Sequence, residues 1–214
     1  MIALADSHYV LGGSTVPGGL EQFVLWIDQV GAYLVLTTDE VTIGGPPAEG
    51  PSSKIAMLAN LSRKHATFVR GEERYLLKAH APVCVGGRPV HESADLADGC
   101  EITLGQSVRL RFRQPNVMSG SARVEFLSDH RPARPVDGIV FMHETCLLGP
   151  GAENHIRCPH WTQPVLLFKH QGEIRCKARE DLFIDGRHAP AGGALAAGTI
   201  ISATELRFRA EAIG

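Results

Sequence analysis

The chain has 214 residues, 44% of them hydrophobic and 21% charged, with a formal net charge of −2. This is the composition of an ordinary globular protein and excludes a polar disordered chain. The near-neutral charge argues against nucleic acid as a partner, because nucleic-acid-binding domains are usually basic.

No window approaches the roughly 18 consecutive apolar residues of a membrane helix, and the N-terminus lacks the basic region and apolar core of a signal peptide. A cytoplasmic location without a membrane partner is therefore expected. The five cysteines, Cys84, Cys100, Cys146, Cys158 and Cys176, form no Cys-x-x-Cys. They read as reduced thiols, mostly buried as small hydrophobes.

Residues 1–22 carry Gly12-Gly13-Ser14-Thr15-Val16-Pro17-Gly18-Gly19, the chemistry of a flexible linker. Phe23 to Asp28 reads as a first strand, and Tyr33 to Leu36 and Glu40 to Ile43 as two more, on β-branched and aromatic content. Gly44 to Ser53, rich in glycine and proline, is a loop. Strands follow at Ala66 to Val69, Arg74 to Lys78, Val83 to Val85, Arg88 to Val90 and Glu101 to Leu104. The run Ser107 to Arg113 alternates basic and apolar residues, one face for the core and one for solvent. No amphipathic helix is apparent, and short strands with regular turn signals predict β-sandwiches.

Pro115 to Gly120 reads as a boundary, after which the chain repeats itself. Lys78-Ala79 recurs as Lys177-Ala178, Gly87-Arg88 as Gly186-Arg187, and Leu96-Ala97 as Leu195-Ala196, all at an offset of 99 residues. Gly99 with Gly198 and Ile102 with Ile201 keep the same offset. A fixed offset across several turns predicts tandem antiparallel sandwiches over 23–115 and 121–214, each burying its own core.

The chemistry concentrates in Ser62-Arg63-Lys64-His65, a turn that opens a strand. A hydroxyl beside a guanidinium forms a minimal anion clamp, one neutral donor and one charged fork. Ile43-Gly44 lies upstream, and Gly86-Gly87 and Leu96-Ala97-Asp98-Gly99 through Leu104-Gly105 lie downstream. In this order, from about Phe23 to Gln114, the chain resembles a forkhead-associated (FHA) domain. The resemblance implies a phosphothreonine-peptide site on the loops at one end of the sandwich. Ser62 and Arg63 would meet the phosphate with Lys64 beside them, and His65 would brace the loops.

The chain departs from the family pattern at Gly45, where an arginine would contact the phosphate, and at Ala81, where an asparagine would hold the peptide backbone. Gly86 replaces a further asparagine. Losing a charge-assisted bond of about 1.5–3 kcal/mol weakens phosphate affinity on the order of ten- to hundredfold. Arg63, Lys64, Lys54 and Arg88 are the cations that could compensate. In the second copy, Trp161-Thr162-Gln163-Pro164 stands where the clamp would be, so that copy is degenerate. Trp161 is either an exposed contact anchor or part of its own core.

Other chemistries are poorly supported. His143, Cys146, His155, Cys158 and His160 are zinc-ligand types without a closed four-ligand spacing. There is no Gly-x-Ser-x-Gly elbow and no phosphate-cradling Gly-x-x-x-x-Gly-Lys loop. The expectation is a non-enzymatic protein–protein interaction module in a signalling or scaffolding protein, without cofactor or metal. Its partner is a protein or phosphopeptide, and its first phosphothreonine site is partly eroded. The alternative is a phosphothreonine-dependent reader linked to a Ser/Thr kinase pathway. The sequence leaves the oligomeric state open.

Overall fold

The computed structural model describes residues 20–46, 54–71 and 74–213. Residues 1–19 of the expected flexible segment and 47–53 of the expected loop lie outside the described residues. Within them the fold is all-β. The single helical element is a 3-10 turn, Val117–Ser119, in the connection between the halves. The Asn116 side chain accepts from the Met118 amide at 3.1 Å, and Gly120 ends the turn at φ 64°, a conformation glycine adopts without steric cost.

Two five-stranded sheets share one design. The first has the order Ile55–Ala56, Glu40–Gly44, Ala66–Arg70, Tyr75–Ala79, Ser93–Leu96. The second has the order Ile156–Arg157, Thr145–Gly149, Val165–His170, Glu173–Lys177, Gly193–Ala194. In each, the first pairing is parallel and the other three are antiparallel. Both sheets share their cores with a single twelve-stranded sheet that runs through the whole chain.

The centre of that long sheet differs from two self-contained sandwiches. Gln22–Ile27 pairs with Gly31–Leu36, and on its other side with Arg207–Ala212, the last strand of the chain. Ala122–Phe126 pairs with Gly138–Phe141, and on its other side with Val108–Arg113. The first strand pair of each half has therefore crossed to the other half. The two pairs join through a parallel contact between Gly31–Leu36 and Gly138–Phe141.

Each core is consequently built from both halves. Val124, Ile139 and Phe141 pack with Ile43, Phe68 and Phe112. Phe23, Leu25 and Val35 pack with Cys146, Leu167 and Phe208. The crossing explains why Phe23-Val24-Leu25 and Leu34-Val35-Leu36 are apolar without alternation. Val24, Leu34 and Leu36 enter the first core, whereas Phe23, Leu25 and Val35 enter the second. Strands covered on both faces read as continuous hydrophobic runs.

Candidate functional site

The Ser62-Arg63-Lys64-His65 turn leads into the strand Ala66–Arg70. Ser62, Arg63 and Lys64 are exposed, and His65 is 3% exposed. The imidazole of His65 ties its own turn to the loop at Pro82. Its Nδ1 accepts from the Ser62 amide at 3.3 Å. Its Nε2 therefore carries the proton and donates to the Pro82 carbonyl at 3.0 Å. The same Pro82 carbonyl accepts from the Gly105 amide at 2.9 Å. The backbone of His65 adds to this: its carbonyl accepts from the His80 and Ala81 amides at 3.0 and 3.2 Å. A buried polar ring with both nitrogens satisfied is a rigid support.

Gly45, the position of the missing arginine, lies under this turn. Its amide donates to the Ser62 carbonyl at 3.0 Å. A Cβ there would overlap the Leu61 carbonyl oxygen and fall 3.2 Å from the Leu61 carbonyl carbon. A Cβ on Gly44 would overlap the Arg63 carbonyl oxygen. The loop over 59–63 thus packs directly on bare glycine backbone, and no side chain fits at either position unless that loop moves. Ala81 has no polar side chain, and its amide is committed to His65.

Of the cations that could compensate, Lys64 shares the turn. Lys54 instead donates to the Thr38 hydroxyl at 2.9 Å. Arg88 pairs opposite Val85 at the turn end of its hairpin, away from Pro82. Sequence reasoning missed His80. Its Nε2 lies 2.9 Å from the buried Thr67 hydroxyl. Partial burial, then the charges of Lys64 and Lys78, hold it below the usual imidazole range. Its position next to Ala81 was the available signal. The charges of Lys64 and Lys78 both act on His80, and Lys78 also pairs with the Glu40 carboxylate at 3.7 Å.

Residues 52–105 match the family model of the FHA domain. An FHA domain is a protein-interaction module that takes phosphopeptides, and it is a binding module rather than an enzyme. The chain is also similar to three solved FHA structures. One is the FHA domain of the CT664 protein from Chlamydia trachomatis, at 19% identity over 39% of this chain and 89% of that one, with a TM-score of 0.30. A second is the Rv0020c FHA structure, at 22% identity over 44% and 91%, with a TM-score of 0.29. The third is the N-terminal FHA domain of EssC, a component of the bacterial type VII secretion apparatus, at 14% identity over 89% and 91%, with a TM-score of 0.25. No curated protein matches the chain.

The half that lies outside the FHA match presents a different surface at the corresponding turn. Trp161 is 4% exposed and stacks on Phe208, with ring centroids 6.1 Å apart. It is a core residue, not an exposed anchor. Of the zinc-type residues, Cys146, His155 and Cys158 are buried, His143 is half-buried and His160 is exposed. His155 is fully buried; its Nδ1 accepts from the Leu147 amide at 2.9 Å, and its Nε2 lies 2.7 Å from the Ser119 hydroxyl. Burial, then the nearby Arg123, lowers its pKa to about 4. Cys158 is buried, and burial pushes its thiol up to about 12. Among the described residues no three metal-ligating side chains converge. All five cysteines are free. No helix among the described residues is long and apolar enough to cross a membrane.

Proposed function

We propose that the chain is a protein–protein interaction module of a signalling or scaffolding assembly. It carries two FHA-like units, 23–115 and 121–214 in sequence, and works in the cytoplasm, where free thiols persist. The first unit keeps part of a phosphothreonine-peptide site, formed by Ser62, Arg63 and Lys64 over the bracing His65. The second unit has none. Partner binding rests mainly on shape and apolar contact.

One observation carries this reading. The Leu61 carbonyl closes the space that a side chain at position 45 would need. Gly45 is thus more than a lost arginine, because the loop has settled onto it. A second reading, a phosphothreonine-dependent reader in a kinase pathway, draws support from Lys64 and from His80, on which the charges of Lys64 and Lys78 act.

A pull-down from cell lysate, with and without phosphatase treatment, separates the two. The first reading expects the same partners in both arms. Loss of every partner after dephosphorylation, reproduced by Ser62→Ala, would establish the second. Calorimetric titration of the captured partner's peptide in phosphorylated and plain forms then gives the ratio directly. Under the first reading that ratio stays under about tenfold, less than a single charge-assisted bond confers.

A further inference from the structure

The hairpins that open the two halves differ in their connections. Gln22–Ile27 and Gly31–Leu36 are joined by residues 28–30, whereas Ala122–Phe126 and Gly138–Phe141 are joined by residues 127–137. The longer connection carries Pro132 and Pro135, whose fixed φ narrows its conformations. Its hairpin lies beside Val108–Arg113, so this arm of the second half extends over the first.

The arm is fastened to two segments of the first half. At one, the Arg109 carbonyl accepts from the Leu127 and Ser128 amides at 2.9 and 3.3 Å, and the Arg109 amide donates to the Ser128 hydroxyl at 3.1 Å. His130 Nε2 lies 3.3 Å from the Ser107 hydroxyl. At the other, the Leu58 amide donates to the Arg131 carbonyl at 2.9 Å, and the Ala133 amide to the Ala56 carbonyl at 2.6 Å. Met57 pairs antiparallel with Pro132 between them. The arm thus covers the edge of the first five-stranded sheet at Ile55–Ala56, an edge that would otherwise be open to pairing. Arg131 stiffens the arm from within. Its guanidinium donates to the Ser128 and His130 carbonyls and lies 5.2 Å from the centre of the Phe126 ring.

Both segments adjoin the Ser62–His65 turn. Leu58 leads into it through two tight bonds, from the Ala59 amide to the Met57 carbonyl at 2.8 Å and from the Leu61 amide to the Ala59 carbonyl at 2.9 Å. A Cβ on Gly105, two residues before Ser107, would fall 3.2 Å from Leu61 Cδ2 and 3.8 Å from His65 Cε1. The second half has no such arm over it. Residues 28–30 close a tight turn, with the Val30 amide donating to the Ile27 carbonyl at 3.1 Å. Beside Ile156–Arg157, the Asn154 and His155 carbonyls accept from Arg123 at 3.4 and 3.0 Å instead. The half that keeps the turn has the arm, and the half that lost the turn lacks one.

Where arm and turn meet, the surface is accessible and chemically mixed. Leu58 is 58% exposed, and of the exposed large hydrophobic residues among those described it alone leads into the turn. It stands four residues from Ser62, at most about 14 Å along the chain. Asp129 is exposed and makes no hydrogen bond or ion pair with another described residue. Lys64, exposed in the turn, carries the opposite charge.

We propose that the arm completes the recognition surface of the first unit, and that the partner is an extended peptide of mixed charge. It places a phosphorylated or acidic residue at Ser62–Lys64, an apolar side chain on Leu58, and a lysine or arginine at Asp129. This rests on the reading of Ser62–Lys64 as a peptide site. It makes the second half, which has no clamp of its own, a working part of the first.

The test screens the full chain against immobilised peptides of about ten residues, long enough to span these points. They are randomised around a central threonine and made in phosphorylated and plain forms. The expected result is selection of a large apolar residue and, beyond it on the same side, of lysine or arginine. Leu58→Asp and Asp129→Lys both change exposed side chains, so the fold should persist. Leu58→Asp should remove the apolar preference and weaken the best selected peptide at least tenfold, the scale of burying one apolar side chain. Asp129→Lys should turn the preference for basic residues into one for acidic residues, an exchange that lost stability cannot produce. Wild-type selection without a basic residue, a basic preference that survives Asp129→Lys, or no peptide selected in either form would each overturn the proposal. Peptides that bind a Ser62→Ala, Lys64→Gln chain as well as wild type would sink the reading of the turn itself. If that variant loses them while Asp129→Lys changes nothing, only the arm's part falls.

Discussion

Val35 lies opposite Val140 in the parallel pairing that joins the two halves of the long sheet, and both side chains enter the same core. Each comes from a strand whose antiparallel neighbour or hairpin partner serves both halves. Neither core can melt without stripping strands from the other. The chain should therefore unfold in one transition by differential scanning calorimetry, with calorimetric and van't Hoff enthalpies in agreement. Val140→Asp places an unpaired charge in this seam and should cost on the order of 3 kcal/mol or more, shifting the whole transition. Two resolved transitions, with only one moved by Val140→Asp, would show that the halves fold separately.

His155 makes stability depend on pH. Its folded pKa of about 4 lies below the ordinary imidazole value of 6.5. Between those values the unfolded chain binds a proton that the folded chain refuses, so stability falls as pH falls. The contribution is complete above about pH 6.5 and is lost progressively toward pH 4. A tenfold change in proton affinity corresponds to about 1.4 kcal/mol, so the whole interval contributes on the order of 3 kcal/mol. Urea denaturation of wild type and His155→Gln at pH 7.5 and pH 4.5 isolates it. The variant should be less stable at pH 7.5, because the amide cannot reproduce the bonds to Leu147 and Ser119, and should show a flatter dependence on pH.

The bracing of the candidate site rests on His65. Replacing it with alanine leaves the Ser62 amide without its acceptor and removes the donor to Pro82. One unsatisfied buried group costs about 1–3 kcal/mol, so His65→Ala should lower the urea midpoint accordingly. Amide hydrogen exchange should also quicken at residues 61–65 and 80–82, the loops the ring joins. An unchanged midpoint with unchanged exchange would remove the role.

The strands and the all-β class were legible because each strand carries its own turn signals and apolar pattern. The offset of 99 residues was legible for the same reason. Which half a strand serves was not. Ala122–Phe126 and Gln22–Ile27 each open a half, and no local turn or pairing signal says that the first lies beside Val108–Arg113 and the second beside Arg207–Ala212. A hint was present in the non-alternating run Phe23-Val24-Leu25, which needs apolar cover on both faces. At the candidate site, the turn itself was legible from Ser62 to His65. The closure over Gly45 was not, because it depends on the path of the backbone at Leu61. The fate of Trp161 was undecided for a similar reason, since stacking on Phe208 is a contact 47 residues away in sequence.

The state of position 45 gives the sharpest test of the candidate site. If the arginine were simply missing, Gly45→Arg would restore a charge-assisted contact and with it about ten- to hundredfold in phosphopeptide affinity. The geometry predicts otherwise. The new Cβ would overlap the Leu61 carbonyl before the guanidinium reached any phosphate, and backbone cannot give way as a flexible side chain end can. Gly45→Arg should therefore lose about 1–3 kcal/mol of stability, the usual cost of forcing atoms into a packed site, without gaining affinity. Gly45→Ala controls for the Cβ alone and should lose most of the same stability with no charge added. Gly44→Ala, which would overlap the Arg63 carbonyl, should be at least as costly. Urea midpoints for the three variants, paired with calorimetric titration of a phosphothreonine peptide, decide the matter. A Gly45→Arg chain of wild-type stability that binds the phosphopeptide at submicromolar concentration would show that the loop over 59–63 opens readily, and that an arginine at position 45 makes this turn a working phosphate clamp despite Ala81.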